Sequence, residues 1–419
     1  MSNPYAEKMY DENAPQLLRI TGTDANGLAI NITEANVMQG GMVVDRCSCL
    51  GNKLEIGTAI ADELTLKLDN RQGQFDNYVF SGVELYVEIG VVNPYDFPQP
   101  VTIWEPQGYF IIERQPRTAS VITLIGLNRM ILFDKPVPTM SDWADSDGND
   151  LVDSDGNSLV FTNMPHLPCS ANELMQYVAS VCGVELGNPV NPLNHNGGVI
   201  ISKLPDYSTV TTYRQYVQWL AEFSGTCAHF NRSNGKLYFD SYPANDYAAS
   251  TYVSTPAKRY SSDLFEKDIT FTGVKYIDPD GYTTYISGED GYVLDISKNP
   301  LVEGISIYKG SICQGIWNEW VDYSYRPMTA VINSAPWLDP LSVITFTDKD
   351  GNDHYCALTN VRVTLNGNTV IESKGMDETT NDLTYQSQPT QQPVTKSATF
   401  QTLDGKTITV LNGMIISIV

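Results

Sequence analysis

The chain has 419 residues, and its 26 lysine and arginine residues stand against 49 aspartate and glutamate residues, a formal charge of −23 at pH 7. With 42% hydrophobic and 10% aromatic residues it can bury substantial cores, and its length predicts two or three domains. The composition excludes a largely disordered chain. No lysine- and arginine-rich cluster of the kind that binds phosphates is present, which argues against stable nucleic-acid binding, and no apolar run is long enough for a membrane span.

Strand patterns dominate the first third of the chain. Leu64, Leu66 and Leu68 alternate with polar residues, and short apolar or alternating runs follow at 85–91, 109–112 and 121–127. These patterns predict antiparallel β-structure with one buried face.

An acidic tandem repeat follows, DSDGNDLV and then DSDGNSLV. Carboxylates beside glycine suit Ca²⁺, so the candidate ligands are Asp145, Asp147, Asp153 and Asp155. The spacing is not that of an EF-hand loop, and two Asp-Gly turns between short strands are the favoured interpretation. No other metal site and no cofactor site is predicted.

Two helices are predicted in the middle of the chain. Ser170 and Glu173 form a capping box with a stop at Gly183, and Thr212 and Gln215 form a second box for a helix from about 213 to 224. The aromatic residues of the second helix, and the later pair Trp317 and Trp320, are predicted to pack in a core or interface.

Hairpin turns recur through the second half. Asn-Gly or Asp-Gly pairs, which supply the positive φ of tight turns, stand at 234–235, 280–281, 290–291, 350–351, 366–367, 404–405 and 412–413. Residues 381–394 are polar and contain Gln and Pro, which predicts a linker before a short β-meander at 398–419. A meander of this length cannot bury its own apolar face, so Ile415, Ile416, Ile418 and Val419 are predicted to form an interface.

The predicted fold is therefore mainly β with an α+β insert and a C-terminal β-meander tail. The predicted domains are 1–136 and 261–378 for the two β regions, 137–260 for the insert, 379–397 for the linker and 398–419 for the tail. Seven cysteines, an odd number spread along the chain, predict reduced thiols of a protein made in a cytoplasm.

Recognisable catalytic motifs are absent from the sequence: there is no HExxH, no GxSxG, no phosphate-binding loop and no GxGxxG in a strand-to-helix context. This predicts a protein that is not an enzyme. A pair of carboxylates for glycoside hydrolysis stays open, because their separation cannot be read from the sequence. The alternative functions are a cell-wall hydrolase or other enzyme and a receptor- or carbohydrate-binding module.

Several stretches resemble one family. The segments GMVVDRCSCLGNKLEIG (41–57), ADEL (61–64) and LDNRQGQFD (68–76) resemble the N-terminal barrel of the tail hub proteins, also called baseplate hub or tail-associated proteins, of phages and prophages of Gram-positive hosts. The segments LAEFSG (220–225), NGKL (234–237) and DITFTGV (268–274) resemble the inserted domain and the second barrel. LDGKT (403–407) with Asn412-Gly413 resembles a recurrent hub ending.

The resemblance implies a fold and a set of partners. The two β regions would be tube-like antiparallel β-barrels, and three subunits would form a homotrimeric ring that adapts the six-fold tail tube to a three-fold tip. The partners would be a distal tail or tail tube protein above, a tape measure protein, and a tip, spike or fibre protein below. DNA would pass through transiently, and the protein would be located at the virion tail tip. Longer relatives carry a C-terminal peptidoglycan hydrolase, for which this chain has too few residues after the second barrel.

Overall fold

The computed structural model describes most of the chain: residues 14–52, 54–93, 101–118, 120–137, 167–205, 210–244, 246, 248–287, 292–305, 307–321 and 323–375, and three strands between 397 and 418. The chain forms two compact units, Met1–Met376 and Asp377–Val419. The first unit contains a large antiparallel sheet and few helices, which confirms the predicted mainly β class with a small α+β part.

The strands and helices of the first unit have the following bounds. The strands are β1 Gln16–Thr23, β2 Ala29–Thr33, β3 Val37–Cys47, β4 Glu63–Asp69, β5 Glu84–Asn93, β6 Val101–Arg114, β7 Val121–Asn128, β8 Cys169–Ser170, β9 Ile200–Ile201, β10 Cys227–Phe230, β11 Leu237–Asp240, β12 Ser250–Ser254, β13 Arg259–Leu264, β14 Ile269–Ile277, β15 Thr283–Ser287, β16 Tyr292–Asp295, β17 Ser324–Tyr325, β18 Met328–Ile332, β19 Val343–Thr347, β20 Asp353–Ala357, β21 Asn360–Thr364 and β22 Thr369–Ser373. The helices are α1 Ala171–Cys182, α2 Tyr213–Ser224, α3 Pro300–Glu303 and α4 Gly310–Trp320, with 3₁₀ turns at Glu34–Asn36, Arg129–Asp134 and Pro256–Lys258.

One eleven-stranded antiparallel sheet organises the first unit. Its spatial order is β13-β18-β22-β21-β3-β4-β7-β6-β5-β1-β2. Strands of the two predicted β regions meet where β3 pairs with β21, with Val44 opposite Val363. The predicted alternation in β4 is confirmed, because Leu64, Leu66 and Leu68 are fully buried on one face of this sheet.

Two hydrophobic cores fill the first unit. One core joins the apolar face of β1–β7 with residues of β18–β22, such as Ile371. The other joins the helices α1 and α2 with residues 269–325, including Phe271 and Trp320. The segment 269–325 therefore packs with the helical insert, although it lies beyond residue 260 in the chain.

Both predicted helices are confirmed with their caps. At α1 the Ser170 Oγ accepts from the Glu173 backbone N–H (3.2 Å), and the Glu173 carboxylate accepts from the Ser170 N–H (2.7 Å). At α2 the Gln215 Oε1 accepts from the Thr212 N–H (3.2 Å). Gly183 and Gly225 end the two helices with φ of 70° and 72°, in the left-handed region that favours glycine.

The predicted hairpins at 234–235, 280–281, 350–351 and 366–367 are confirmed, since each joins two antiparallel strands. The turns at 290–291, 404–405 and 412–413 and residues 379–396 of the predicted linker lie outside the described residues, and Ser397, the last linker residue, begins a strand. In the second unit the strands β23 Ser397–Gln401, β24 Thr407–Leu411 and β25 Met414–Ile418 pair antiparallel in chain order, as the predicted meander requires.

The two C-terminal helix glycines permit a matched stability test. A Cβ on Gly183 would meet nothing within 4 Å, whereas a Cβ on Gly225 would lie 3.1 Å from Ile316 Cγ2. We expect Gly183→Ala to lower the free energy of unfolding by about 1 kcal/mol through backbone strain alone. Gly225→Ala should lose a further ~1–2 kcal/mol through crowding of Ile316. Urea denaturation of both variants measures this, and equal losses would contradict the packing described here.

Candidate functional site

The outer face of the eleven-stranded sheet is the first candidate surface. Strand alternation turns one set of side chains into the core and leaves the other set half-exposed or exposed. On β3 the outward residues are Val43, Asp45 and Cys47, and on β4 they are Glu63, Thr65, Lys67 and Asp69. This outward set, on all strands of the sheet, is called the outer face below.

Carboxylates outnumber cations on the outer face. The acids are Asp45, Glu63, Asp69, Glu84, Glu113 and Glu372, and the bases are Arg19, Lys67, Arg114 and Arg362. Asp45 lies directly opposite Glu63 on one side and Arg362 on the other. Burial and then the Glu63 charge raise the pKa of Asp45, and Arg362 opposes that shift. Like charges face each other across strands here, an arrangement that weakens pairing in an isolated sheet.

The two ends of the sheet are the second candidate surface. Among the described residues, β2 and β13 are the terminal strands, so each is paired on one side. Most residues of β13 are exposed, including Tyr260 at 60%. Terminal strands present backbone N–H and C=O groups to which another chain can add a strand.

A buried junction connects the sheet to the helical insert through Arg232, in the hairpin between β10 and β11. Its Nη1 donates to the carbonyls of Pro106 (2.9 Å) and Pro336 (2.8 Å), and its Nη2 donates to the carbonyl of Trp337 (2.9 Å). Its Nε pairs with Asp339 Oδ2 at 2.7 Å. The guanidinium thus fastens the insert hairpin to β6 and to the loop 333–342.

Arg46 on β3 supplies the second cation of the junction. It is 1% exposed, and its Nη2 donates to the carbonyl (3.0 Å) and to Oε1 (2.8 Å) of Gln107. Its Nε lies 3.5 Å from Asp339 Oδ1, an ion contact too long for a good hydrogen bond. Burial, and then the neighbouring Arg232, lower the pKa of Arg46 to about 10.

Asp62, just before β4, adds a further carboxyl group to the junction. Its Oδ2 accepts from Asn128 Nδ2 at 2.8 Å. A cavity of about 40 Å³ beside it is lined by Arg46, Asn128, His229, Arg232 and Asp339, among others. Burial raises the pKa of Asp62 to about 6, although Arg46 lowers it.

A larger cleft of about 880 Å³ opens next to the junction, between the insert and the loop 339–342. His229 pairs with Asp240 at 2.7 Å, and Glu319 pairs with His195 at the same distance. In the part of the chain that the structure describes, no group of three or more His, Cys, Asp or Glu side chains is placed to hold a metal ion.

The structure gives the location of some of the predicted core, interface and metal-binding residues. The aromatic residues Tyr213, Tyr216, Phe223 and Trp320 are buried, which confirms their predicted packing role. Ile415, Ile416 and Ile418 lie on β25, but their side chains lie outside the described residues, as do Val419 and the calcium candidates Asp145, Asp147, Asp153 and Asp155. The seven cysteines are free thiols. No helix among the described residues is long and apolar enough to cross a membrane.

The junction residues were not singled out by the sequence. One signal was available: Arg46 shares the parity of Met42 and Val44, the buried residues of β3. A charged residue at an apolar position of an alternating strand predicts a buried ion with a partner. The partners themselves, Asp339 and Arg232, lie far along the chain and carried no local signal.

The chain is similar to solved structures of phage tails and baseplates. The 43 kDa tail protein of prophage MuSo2 from Shewanella oneidensis matches at a TM-score of 0.45 and 10% identity, covering 85% of this chain and 96% of that one. The phage P2 baseplate in its activated conformation with Ca matches at 0.27 and 9%, covering 87% and 100%. The virion of a native gene transfer agent particle matches at 0.20 and 10%, covering 47% and 73%.

No protein-family model matches the chain, and no curated protein matches it. With TM-scores below 0.5 and identities of about a tenth, these likenesses do not by themselves carry a function over to this chain.

Proposed function

We propose that this chain is the structural hub at the tip of a phage tail, where three copies form a ring around a channel for DNA. The observation that carries the proposal is the eleven-stranded sheet, which, among the described residues, combines an acid-rich outer face with two terminal strands. The tail hub segments at 41–57, 61–64 and 68–76 fall on this sheet, over β3, the following loop and β4 and its turn.

The terminal strands supply the means of ring formation. Addition of β13 of one copy to β2 of the next would satisfy the backbone groups at both ends, and repetition of that contact closes a ring when its rotation matches. Each copy would pair its β13 with one neighbour and its β2 with the other, so the contact joins two different surfaces and is heterologous. The proposed tube-like barrels, 1–136 and 261–378, both contribute strands to the sheet that would line the ring.

The acid-rich outer face suits a channel that DNA must pass without sticking. A basic wall would neutralise phosphates, release counterions and gain affinity, whereas carboxylates repel the phosphate backbone. Asp45 and Glu63 lie directly opposite each other, which concentrates carboxyl groups on this face.

The proposed partners follow from a place at the virion tail tip. A distal tail or tail tube protein lies above the ring, the tape measure protein enters it, and a tip, spike or fibre protein lies below. The insert, 137–260, stands outside the ring apart from its last two residues, which begin β13, and Arg232 holds its hairpin to the sheet.

The oligomeric state tests the hub directly. We expect mass photometry of the purified chain to report a homotrimer. Asn31→Lys on β2 or Ser261→Lys on β13 should shift it to monomer, because a lysine on a terminal strand opposes strand addition. Ser180→Lys, on the exposed side of α1, is the matched control and should leave the trimer intact. A wild-type monomer, or trimers in all three variants, would contradict the proposed ring.

The C-terminal meander is proposed to bind a neighbouring subunit or the protein below. Three five-residue strands cannot bury an apolar face alone. A linker of about 14 residues can reach roughly 40 Å when extended. Deletion of residues 395–419 should leave the thermal unfolding of the body unchanged and weaken particle assembly in a complementation assay. Unchanged trimer stability together with unchanged assembly would refute this assignment.

A further inference from the structure

The junction beneath the insert combines features that its role as a fastening does not require. Arg232 holds the β10–β11 hairpin through three carbonyls and Asp339, and Arg129 donates to the carbonyl of Gly235 in the same hairpin at 2.8 Å. Asp62 adds a carboxyl group in the same place, with one oxygen accepting from Asn128 and a cavity of about 40 Å³ beside it. A cavity of that size, with polar walls, can admit one or two water molecules.

The groups that face Asp62 come from every element packed around it. They are Arg46 and Cys47 on β3, Tyr109 on β6, Asn128 at the end of β7 and Arg129 after it, Cys227 and His229 on β10, Arg232 in the hairpin, and Asp339 in the loop 333–342. Arg46 and Arg232 already share Asp339. Glu105 on β6 lies 3.4 Å from Arg232, so the two arginines already face two carboxylates, and burial disfavours a further charge at Asp62.

We infer that Asp62 makes the contact between the sheet and the β10–β11 hairpin pH-dependent: the contact is closed while the Asp62 carboxyl is protonated, and it loosens when that carboxyl ionises and draws water into the cavity. The inference concerns the first unit alone and stands whether or not the chain forms a ring.

The direction of the pH dependence of the closed junction follows from proton linkage. Burial raises the pKa of Asp62 to about 6, above the usual value for aspartate. The closed junction therefore holds a proton that the opened junction releases. The closed state is favoured at low pH, and that preference is lost as the pH rises from about 4 through about 6. His229 acts in the opposite direction, because a protonated imidazole near Asp62 would favour its ionised form.

Hydrogen exchange measures the opening. After correction for intrinsic exchange rates, we expect amides of β10 and β11 in the full-length protein to exchange about tenfold faster at pH 7.5 than at pH 5, as that pKa shift requires. Asp62→Asn should remove this pH dependence and keep the slow exchange at both pH values. The matched control, Asp69→Asn at the far end of β4, should retain the wild-type dependence.

Three outcomes would overturn the inference: no pH dependence in the wild type, a dependence that persists in Asp62→Asn, or one that disappears in His229→Gln instead. Should Asp62→Asn fail to fold, carbon-detected NMR titration of the wild-type Asp62 carboxyl decides the matter. A midpoint near pH 6 supports the inference, and one near pH 4 contradicts it.

Discussion

Replacement of Arg232 by methionine is expected to lower the free energy of unfolding by about 3–5 kcal/mol, the usual cost of removing one partner of a buried ion pair. Its side chain is 13% exposed, and its removal takes the 2.7 Å ion pair from Asp339 and the donor from the carbonyl of Trp337. The carbonyls of Pro106 and Pro336 then keep only Gln107 Nε2, at 3.1 and 3.3 Å. Arg232→Lys keeps the charge but loses the planar fork, so an intermediate loss of about 1–3 kcal/mol is expected.

The control for this prediction is Arg71→Met. Arg71 pairs with Asp69, but it is 75% exposed, and an exposed ion pair contributes only about 0–1 kcal/mol. Urea denaturation followed by tryptophan fluorescence compares the variants. If Arg232→Met and Arg71→Met lost similar stability, the junction would not be a buried fastening.

Replacement of Trp320 by alanine is expected to lower the free energy of unfolding by a similar amount, about 3–5 kcal/mol. The indole is 1% exposed and packs edge-on against Tyr323 and Tyr242, with ring centroids 5.0 and 5.9 Å away. Its Nε1–H donates to the carbonyl of Gly225 at 2.8 Å, which ties α4 to the end of α2. The alanine variant therefore creates a cavity and leaves a buried carbonyl without its donor.

Two further variants separate these contributions. Trp320→Phe keeps most of the volume but loses the donor, and we expect it to lose about 1–3 kcal/mol. Trp317→Ala, on the same helix, removes a partly buried indole that stacks on Phe271 (5.8 Å), so its loss should be clearly smaller than that of Trp320→Ala. A larger loss at Trp317 than at Trp320 would show that the two indoles are assigned the wrong roles.

Local signals in the sequence determined α1, α2 and the short hairpins. The capping boxes at Ser170 and Thr212 and the stops at Gly183 and Gly225 act within a few residues, so the chain needs no distant partner to specify them. The alternation in β4 likewise identifies the buried face of that strand without information on the neighbouring strands. These features depend on backbone geometry and on short-range hydrogen bonds.

Helix α4 shows why local signals were insufficient elsewhere. Lys309 precedes it without a side-chain cap, and glycines at 310 and 315 weaken its intrinsic helix propensity. Burial of Ile312, Ile316 and Trp320 against the insert stabilises this helix instead. That burial is a tertiary effect, which no short window of sequence contains.

The sheet and the junction were decided only by the tertiary structure. The pairing of β3 with β21 joins Val44 to Val363, residues more than 300 positions apart, and many registers of two apolar strands compete for such a pairing. Arg46, Asp62, Arg232 and Asp339 meet for the same reason, once long-range strand pairing has brought their elements together. The sequence alone determined which residues prefer strands, helices and turns; the partners of those strands, and the charges buried between them, depend on packing energy that is shared over the whole fold.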